Sequence, residues 1–286
     1  MNVAPDAPKR PALRYYGGKH RLAKWIISHF PAHKSYVEPC GGAASVLLQK
    51  PRSPLETYND LDGNEVNFFR VLRDQPDELI RKIRLTPWAR AEYELSLQPC
   101  DDDVERARRF FVACWLSING SSAINNRSAQ GLHVSVDGLQ TTSDFLYKLA
   151  ENVEGVAVRF LDVQIENRTA QEVITRYDTC DTLIYFDPPY VEETRTKNNW
   201  YGVDWNGNDL HIESAELLRN AAGYVVVSGY ACPLYTELYE ANGWHRVDKE
   251  AQTNSGGKRI ESLWLSPRTW KALHDQHDDL PLFATA

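Results

Sequence analysis

A doubly wound α/β fold, a mostly parallel sheet interrupted by an inserted helical block, is predicted by three features of this 286-residue chain. Short apolar, β-branched runs recur along it, and helically spaced apolar residues separate them. Strands that alternate with helices pair in parallel, because each crossover helix packs back over the sheet. Between residues 64 and 154 the alternation stops and helical patterns follow one another, the sign of an insert.

The first strand is Ser35-Tyr36-Val37-Glu38, ended by Pro39. Ahead of it, Leu22, Trp25, Ile26 and Phe30 have helical spacing, and Pro31 stops that helix. Cys40-Gly41-Gly42-Ala43-Ala44 is a tight turn of small residues, after which residues 45–49 read as a helix start. Glu56-Thr57-Tyr58 is a second strand, closed by Asn59-Asp60. Helices are predicted over 64–72, 76–85, 88–97 and 104–116. Residues 117–143 are rich in Asn, Ser and Gly, and a polar segment of that length inside a compact domain points to function or mobility. A helix over 145–153 follows, then strand-like Val156-Ala157-Val158 and Val163-Gln164-Ile165, and a helix over 170–177. Thr182-Leu183-Ile184-Tyr185-Phe186 has the character of a buried parallel strand. Beyond a polar, aromatic loop over 192–208 come a helix over 212–221, the strand Tyr224-Val225-Val226-Val227-Ser228, a helix over 233–241, and closing strands over 244–249 and 260–265.

An apolar fraction of 42% and a charged fraction of 25% are those of an ordinary soluble globular protein. No apolar run reaches the roughly 18 residues that a membrane span needs. Residues 1–12, rich in Pro and Ala and without an apolar core, read as a flexible arm and not as a secretory signal. Five scattered cysteines with no Cys-x-x-Cys suggest neither a disulfide framework nor a zinc site, and a reducing cytoplasm fits. A net charge of −7 argues against an indiscriminate polyanion binder but leaves room for a local basic face. The tail around Asp275, Asp278 and Asp279 reads as disordered.

Asp187-Pro188-Pro189-Tyr190 follows the apolar strand over 182–186, and its two prolines end the ladder there. An acid and an aromatic are thereby held on a stiff turn at a strand's carboxyl end, where open α/β sheets bind ligands. Such a turn suits activation of an exocyclic base amine, a poor nucleophile because its lone pair is delocalised. Asp187 offers one N–H acceptor, the Pro188 carbonyl a second, and Tyr190 a ring to stack on a base taken out of the helix. A plain strand-ending turn with a capping Asp is the competing account.

The glycine turn, Gly41-Gly42, lies after a strand, as in nucleotide-binding folds, but small residues also serve an ordinary strand-to-helix connection. Asp60 ends the next strand, at a spacing suited to chelating ribose hydroxyls, though turn and N-cap roles are common for Asp. The third glycine of the dinucleotide fingerprint is missing, and no P-loop motif occurs. A nucleoside without phosphates, such as S-adenosylmethionine, fits better, with its cation near Asp187 and its carboxylate near Lys19 or a backbone nest.

Four segments in order, Tyr15-Tyr16-Gly17-Gly18-Lys19, Tyr36-Val37-Glu38-Pro39-Cys40-Gly41-Gly42, Tyr58-Asn59-Asp60 and Asp187-Pro188-Pro189-Tyr190, resemble the Dam-type, D12 class DNA adenine N6-methyltransferases. The similarity covers most of residues 14–267. It implies a Rossmann-like, S-adenosylmethionine-dependent catalytic domain over 14–63 and 155–268, a mainly helical target-recognition insert over 64–154, a flexible arm over 1–13 and an acidic flexible tail over 269–286. Cofactor contacts are implied at Tyr15, Lys19, Cys40, Gly41, Gly42, Asp60 and Asp187, and catalysis at Asp187, Pro188 and Tyr190, without a metal. Tyr15 and Cys40 stand where many members have Trp and Phe. The expected substrate is an adenine flipped from double-stranded DNA. A restriction enzyme is a candidate partner, and a monomer or weak dimer in a bacterial or phage-infected cytoplasm is expected.

DNA contacts are expected at Asn119, Asn126 and Arg127, residue types that read base edges, and at Arg195 and Lys197, beside aromatic residues that suit an extruded strand. Arg106, Arg108 and Arg109 either meet phosphates or coat a solvated helix face. His274 and His277 form a lone pair that is not read as a metal site. Two other functions stand beside the main one: N4 methylation of cytosine, whose amine presents the same geometry, and a catalytically silent DNA- or nucleoside-binding protein. A nicotinamide oxidoreductase is disfavoured by the missing glycine.

Overall fold

The computed structural model describes residues 3–5, 7–15, 17–117, 131–133, 143–194, 205–252 and 258–278, with backbone only at 143–145, 252 and 276–278. Seven described strands form one sheet: β1 (Ser35–Glu38), β2 (Leu55–Asn59), β3 (Val163–Glu166), β4 (Thr182–Phe186), β5 (Tyr224–Gly229), β6 (His245–Gln252) and β7 (Lys258–Leu265). Their spatial order is β3-β2-β1-β4-β5-β7-β6. The first five are parallel, whereas β7 runs antiparallel to both β5 and β6. Strand order reverses between β1 and β4, so a crevice opens at their carboxyl ends.

Period-two alternation makes the sheet two-faced. Leu183 and Tyr185 of β4 join Val226, Leu263 and Leu265 in one apolar cluster. Ile184 and Phe186 join Val225, Val227 and Trp264 in the other. The first face is covered by α1 (Ala23–Ser28), the consecutive helices α2 (Gly63–Asp74), α3 (Pro76–Arg84), α4 (Arg90–Ser96), α5 (Asp103–Leu116) and α6 (Ser143–Phe160), and the terminal α10 (Pro267–Asp278). The second is covered by α7 (Ala170–Tyr177), α8 (Asp209–Arg219) and α9 (Pro233–Leu238). Phe69 of α2 stacks on Phe160 of α6 at 4.4 Å, and both rings meet Tyr58 of β2 edge-on. The helical block is thus rooted in the sheet's own core. Among the described residues no helix is long and apolar enough to cross a membrane.

Four expectations are corrected. Val156-Ala157-Val158 is not a strand but the end of α6. Val153, Val156, Ala157 and Phe160 are buried at helical spacing while Val158 is exposed, so the 3.6-residue period prevails over β-branching. Residues 45–49 form turns and no helix, because Gly42 and Ala44 both take positive φ and bend the chain first. The arm expected to be flexible is docked over its described part: Ala12 and Leu13 are buried, Ala4 N–H donates to the Gln49 carbonyl (2.8 Å), and Trp115 Nε1 donates to the Ala12 carbonyl (3.2 Å). The tail expected from 269 begins as α10, pinned where Thr269 Oγ1 accepts from Val225 N–H (2.9 Å) and donates to its carbonyl (3.0 Å).

Candidate active site

β1 delivers the glycine turn and β2 delivers Asp60, and buried Asn59 ties their ends together. Its side-chain amide donates to the Pro39 carbonyl (2.7 Å) and the Arg168 carbonyl (3.0 Å), and its oxygen accepts from Arg168 N–H (2.9 Å). Three strand ends are thereby held level. At Gly41 a Cβ would lie 2.3 Å from Tyr58 Cε2 and 3.0 Å from the Asn59 carbonyl, so only glycine allows this approach. Gly42 takes φ +48°, and the Tyr15 ring lies over the place of its missing side chain.

Asp60 holds this turn from below. Its two oxygens accept from Gly42 N–H (2.8 Å) and Asp62 N–H (2.9 Å). Burial raises its pKa to about 6, against the pull of those N–H groups. Glu38 lies deeper, accepting from the Tyr36 hydroxyl (2.5 Å) and Leu47 N–H (2.7 Å), and burial pushes its carboxyl up to about 8. Nothing in the local pattern marks Glu38 apart from its place at the end of β1. The Cys40 thiol, half-buried beside the turn, is also held well above its ordinary pKa by desolvation.

β4 delivers Asp187 across the crevice. Lys19 Nζ makes a buried ion pair with Asp187 Oδ2 at 2.9 Å and donates to the Gly17 carbonyl at 2.9 Å. Burial alone would lower the Lys19 pKa, but Asp187 and Glu261 more than offset it and hold the ammonium charged. Asp187 Oδ1 is buried without a hydrogen-bond partner among the described residues. An orphaned carboxylate oxygen is costly unless something accepts its company. Asp187 lines a cavity of about 140 Å³, together with Tyr15, Gly41, Asp60 and Pro188.

Tyr190 is buried, with its hydroxyl on Glu261 Oε2 (2.9 Å) and Ser228 Oγ (3.0 Å) and its ring 4.7 Å from Lys19 Nζ. Sequence patterns single out neither Glu261 nor Ser228; an acid in period-two register with Leu263 and Leu265 is the signal that could have done so. Of the three arginines of α5, Arg108 is buried and Arg106 and Arg109 are half-buried. Arg108 is ion-paired with Glu92 (2.8 Å) and Glu105 (2.7 Å), Arg109 with Glu105 (3.1 Å), and Arg106 donates to the Gly63 carbonyl (2.8 Å). His274 stacks on Trp270 at 3.9 Å, and no metal-binding group occurs among the described residues. Asn119, Asn126, Arg127, Arg195 and Lys197 lie outside the described residues.

A parallel sheet with its crevice at the switch point, lined by a glycine turn and an acid-bearing proline turn, defines a Rossmann-like enzyme of the methyltransferase type. The chain belongs to the D12 class N6 adenine-specific DNA methyltransferase family, whose model matches residues 15–253. It is 25% identical over 284 residues to the Type II methyltransferase M1.LlaDCHI of Lactococcus lactis subsp. cremoris, covering 89% of this chain and 94% of that one. It is 26% identical over 223 residues to a DNA adenine methylase of Vibrio cholerae, covering 75% and 76%, and 24% identical over 272 residues to one of Salmonella typhi, covering 89% and 94%. The protein is therefore an adenine-specific DNA methyltransferase, and its substrate is DNA. Family membership decides for adenine against cytosine, and for an enzyme against a silent binder.

Proposed function

We propose that the methyl donor is S-adenosylmethionine and that the adenine is flipped out of double-stranded DNA into the crevice. The single observation that carries this reading is Asp187, a residue of the cavity lining whose Oδ1 is left without a partner among the described residues. An acceptor left bare in a buried site fits an amine N–H that arrives with the substrate. The donor set also fits a nucleoside cofactor without phosphates: the Gly41 backbone lies bare against Tyr58, and the Tyr15 ring flanks the turn. Tyr15, Cys40, Gly41, Gly42 and Asp60 would hold that cofactor. When bound, it supplies an electrophilic methyl group on a positively charged sulfur.

The rest is done by the chain. Asp187 Oδ1 and the Pro188 carbonyl accept the two N–H bonds of the adenine amine and draw its nitrogen toward a tetrahedral, nucleophilic shape. Lys19 keeps Asp187 aimed through their ion pair. Tyr190 stacks on the extruded base. Asp60, ionised above about pH 6, accepts from the ribose hydroxyls. Positioning and charge placement supply most of the rate enhancement.

The helices between β2 and β3, with the polar segment over 117–143, would read the target, and Asn119, Asn126, Arg127, Arg195 and Lys197 would contact DNA. The Type II name of one relative brings forward a restriction endonuclease of the same target as partner. Isothermal calorimetry with S-adenosylmethionine and mass spectrometry of nucleosides from treated DNA test the reading. Cofactor binding and N6-methyladenine are expected; no binding, or methylcytosine alone, would defeat it.

A further inference from the structure

β5 and β7 are antiparallel neighbours, with Ser228 opposite Leu263 and Gly229 opposite Ser262. By period two, Ser228 shares a face with Val226, and Glu261 shares it with Leu263 and Leu265. Val226, Leu263 and Leu265 are buried together in one apolar cluster. Ser228 and Glu261 meet at one atom, the Tyr190 hydroxyl: Tyr190 donates to Glu261 Oε2 at 2.9 Å, and Ser228 Oγ lies 3.0 Å away as donor to the Tyr190 oxygen. A buried phenol with a carboxylate acceptor and a hydroxyl donor has both its hydrogen-bonding roles filled.

The ring is boxed from its edge as well. Tyr230 meets it edge-on at 4.7 Å and 80°. Tyr230 is in turn held by Arg259, whose Nη1 donates to the Tyr230 hydroxyl at 3.2 Å and whose guanidinium lies 5.1 Å from the ring centre. A tyrosine turns about two side-chain torsions, and anchoring the hydroxyl removes the freedom that packing leaves.

We propose that Glu261, with Ser228, is a positioning residue for the reaction: it anchors the Tyr190 hydroxyl so that the ring is already set to receive the flipped adenine. The proposal rests on the reading of Tyr190 as the stacking residue. A preset ring lowers the ordering cost of capture, so the loss appears in productive base capture and turnover and leaves cofactor affinity untouched.

The test uses the full-length enzyme, duplex DNA carrying 2-aminopurine at the target position, and the variants Glu261→Ala, Glu261→Gln, Tyr190→Phe, Tyr190→Ala and the double variant Glu261→Ala/Tyr190→Phe. In Glu261→Ala, the aminopurine fluorescence gain and kcat should fall about tenfold, the worth of one hydrogen bond to a charged group. Glu261→Gln, which still offers an oxygen to the phenol, should recover most of that loss. In the Tyr190→Phe background, with no hydroxyl to anchor, Glu261→Ala should cost less than about twofold. S-adenosylmethionine affinity by calorimetry should stay unchanged throughout. An inert Glu261→Ala, or an equal cost in both tyrosine backgrounds, would overturn the anchor. If Tyr190→Ala itself leaves fluorescence and kcat intact, the stacking reading fails and the inference with it. A loss in Tyr190→Ala beside an inert Glu261→Ala overturns the anchor alone.

Discussion

Lys19 Nζ stands 2.9 Å from Asp187 Oδ2, a buried ion pair that ties the first loop of the chain to the turn after β4. The pair uses one carboxylate oxygen and leaves Oδ1 for another partner. Removing Lys19 would strand the aspartate charge in a low-dielectric site. Lys19→Met should therefore destabilise the protein by about 3 kcal/mol and nearly abolish methylation. Chemical denaturation and a methyl-transfer assay check this; full activity in Lys19→Met would show that the pair is dispensable. Because the Lys19 pKa is raised above its usual value, its contribution is complete at neutral pH and disappears only in strongly alkaline solution.

Asp187→Asn tests the acceptor directly. Asn keeps the shape but brings an amide that donates where an acceptor is needed and carries no charge. Methyl transfer should fall by about 10²–10³-fold or more, with cofactor affinity changed far less. Single-turnover kinetics beside calorimetry would separate the two effects, and a rate within a few-fold of the native one would remove Asp187 from the chemistry.

Glu38 makes stability pH-dependent. Burial moves its carboxyl from 4.5 to about 8. Between those values the folded protein holds a proton that the unfolded chain has released. Stability must therefore fall as pH rises through that window, by at most about 5 kcal/mol. Asp60 adds the same sign between 3.8 and about 6. Glu38→Gln, which cannot ionise, should flatten the decline in melting temperature between pH 5 and pH 8 by about half or more. Parallel melting curves for the two proteins would refute it.

Gly41→Ala should destabilise the fold by about 1–3 kcal/mol, since the added methyl collides with the Tyr58 ring and the Asn59 carbonyl. The turn must shift to relieve this, so S-adenosylmethionine binding should weaken at the same time. Thermal melts and calorimetry on one preparation read both.

Arg108→Ala should cost about 1.5–3 kcal/mol of stability, because Glu92 and Glu105 lose their shared partner. The dependence of DNA affinity on salt should keep its slope, as no phosphate contact is lost. A slope reduced by about one would return Arg108 to the DNA interface.

The strands, the glycine turn and the Asp-Pro-Pro-Tyr turn were legible in the sequence because each is a local device. Alternation of apolar residues, the fixed φ of proline and the missing side chain of glycine act within a few residues, and their order identified the family. The sheet order, and therefore which distant residues share the crevice, came only from the tertiary structure. Lys19 meets Asp187, and Glu261 and Ser228 meet Tyr190, because crossovers bring separate strands edge to edge; no spacing along the chain encodes those contacts. The same holds where local signals were ambiguous. Val156-Ala157-Val158 became helix because a packed face rewards the 3.6-residue period, and Arg108 and Arg109 of α5 turned inward because Glu92 and Glu105 offered them partners there.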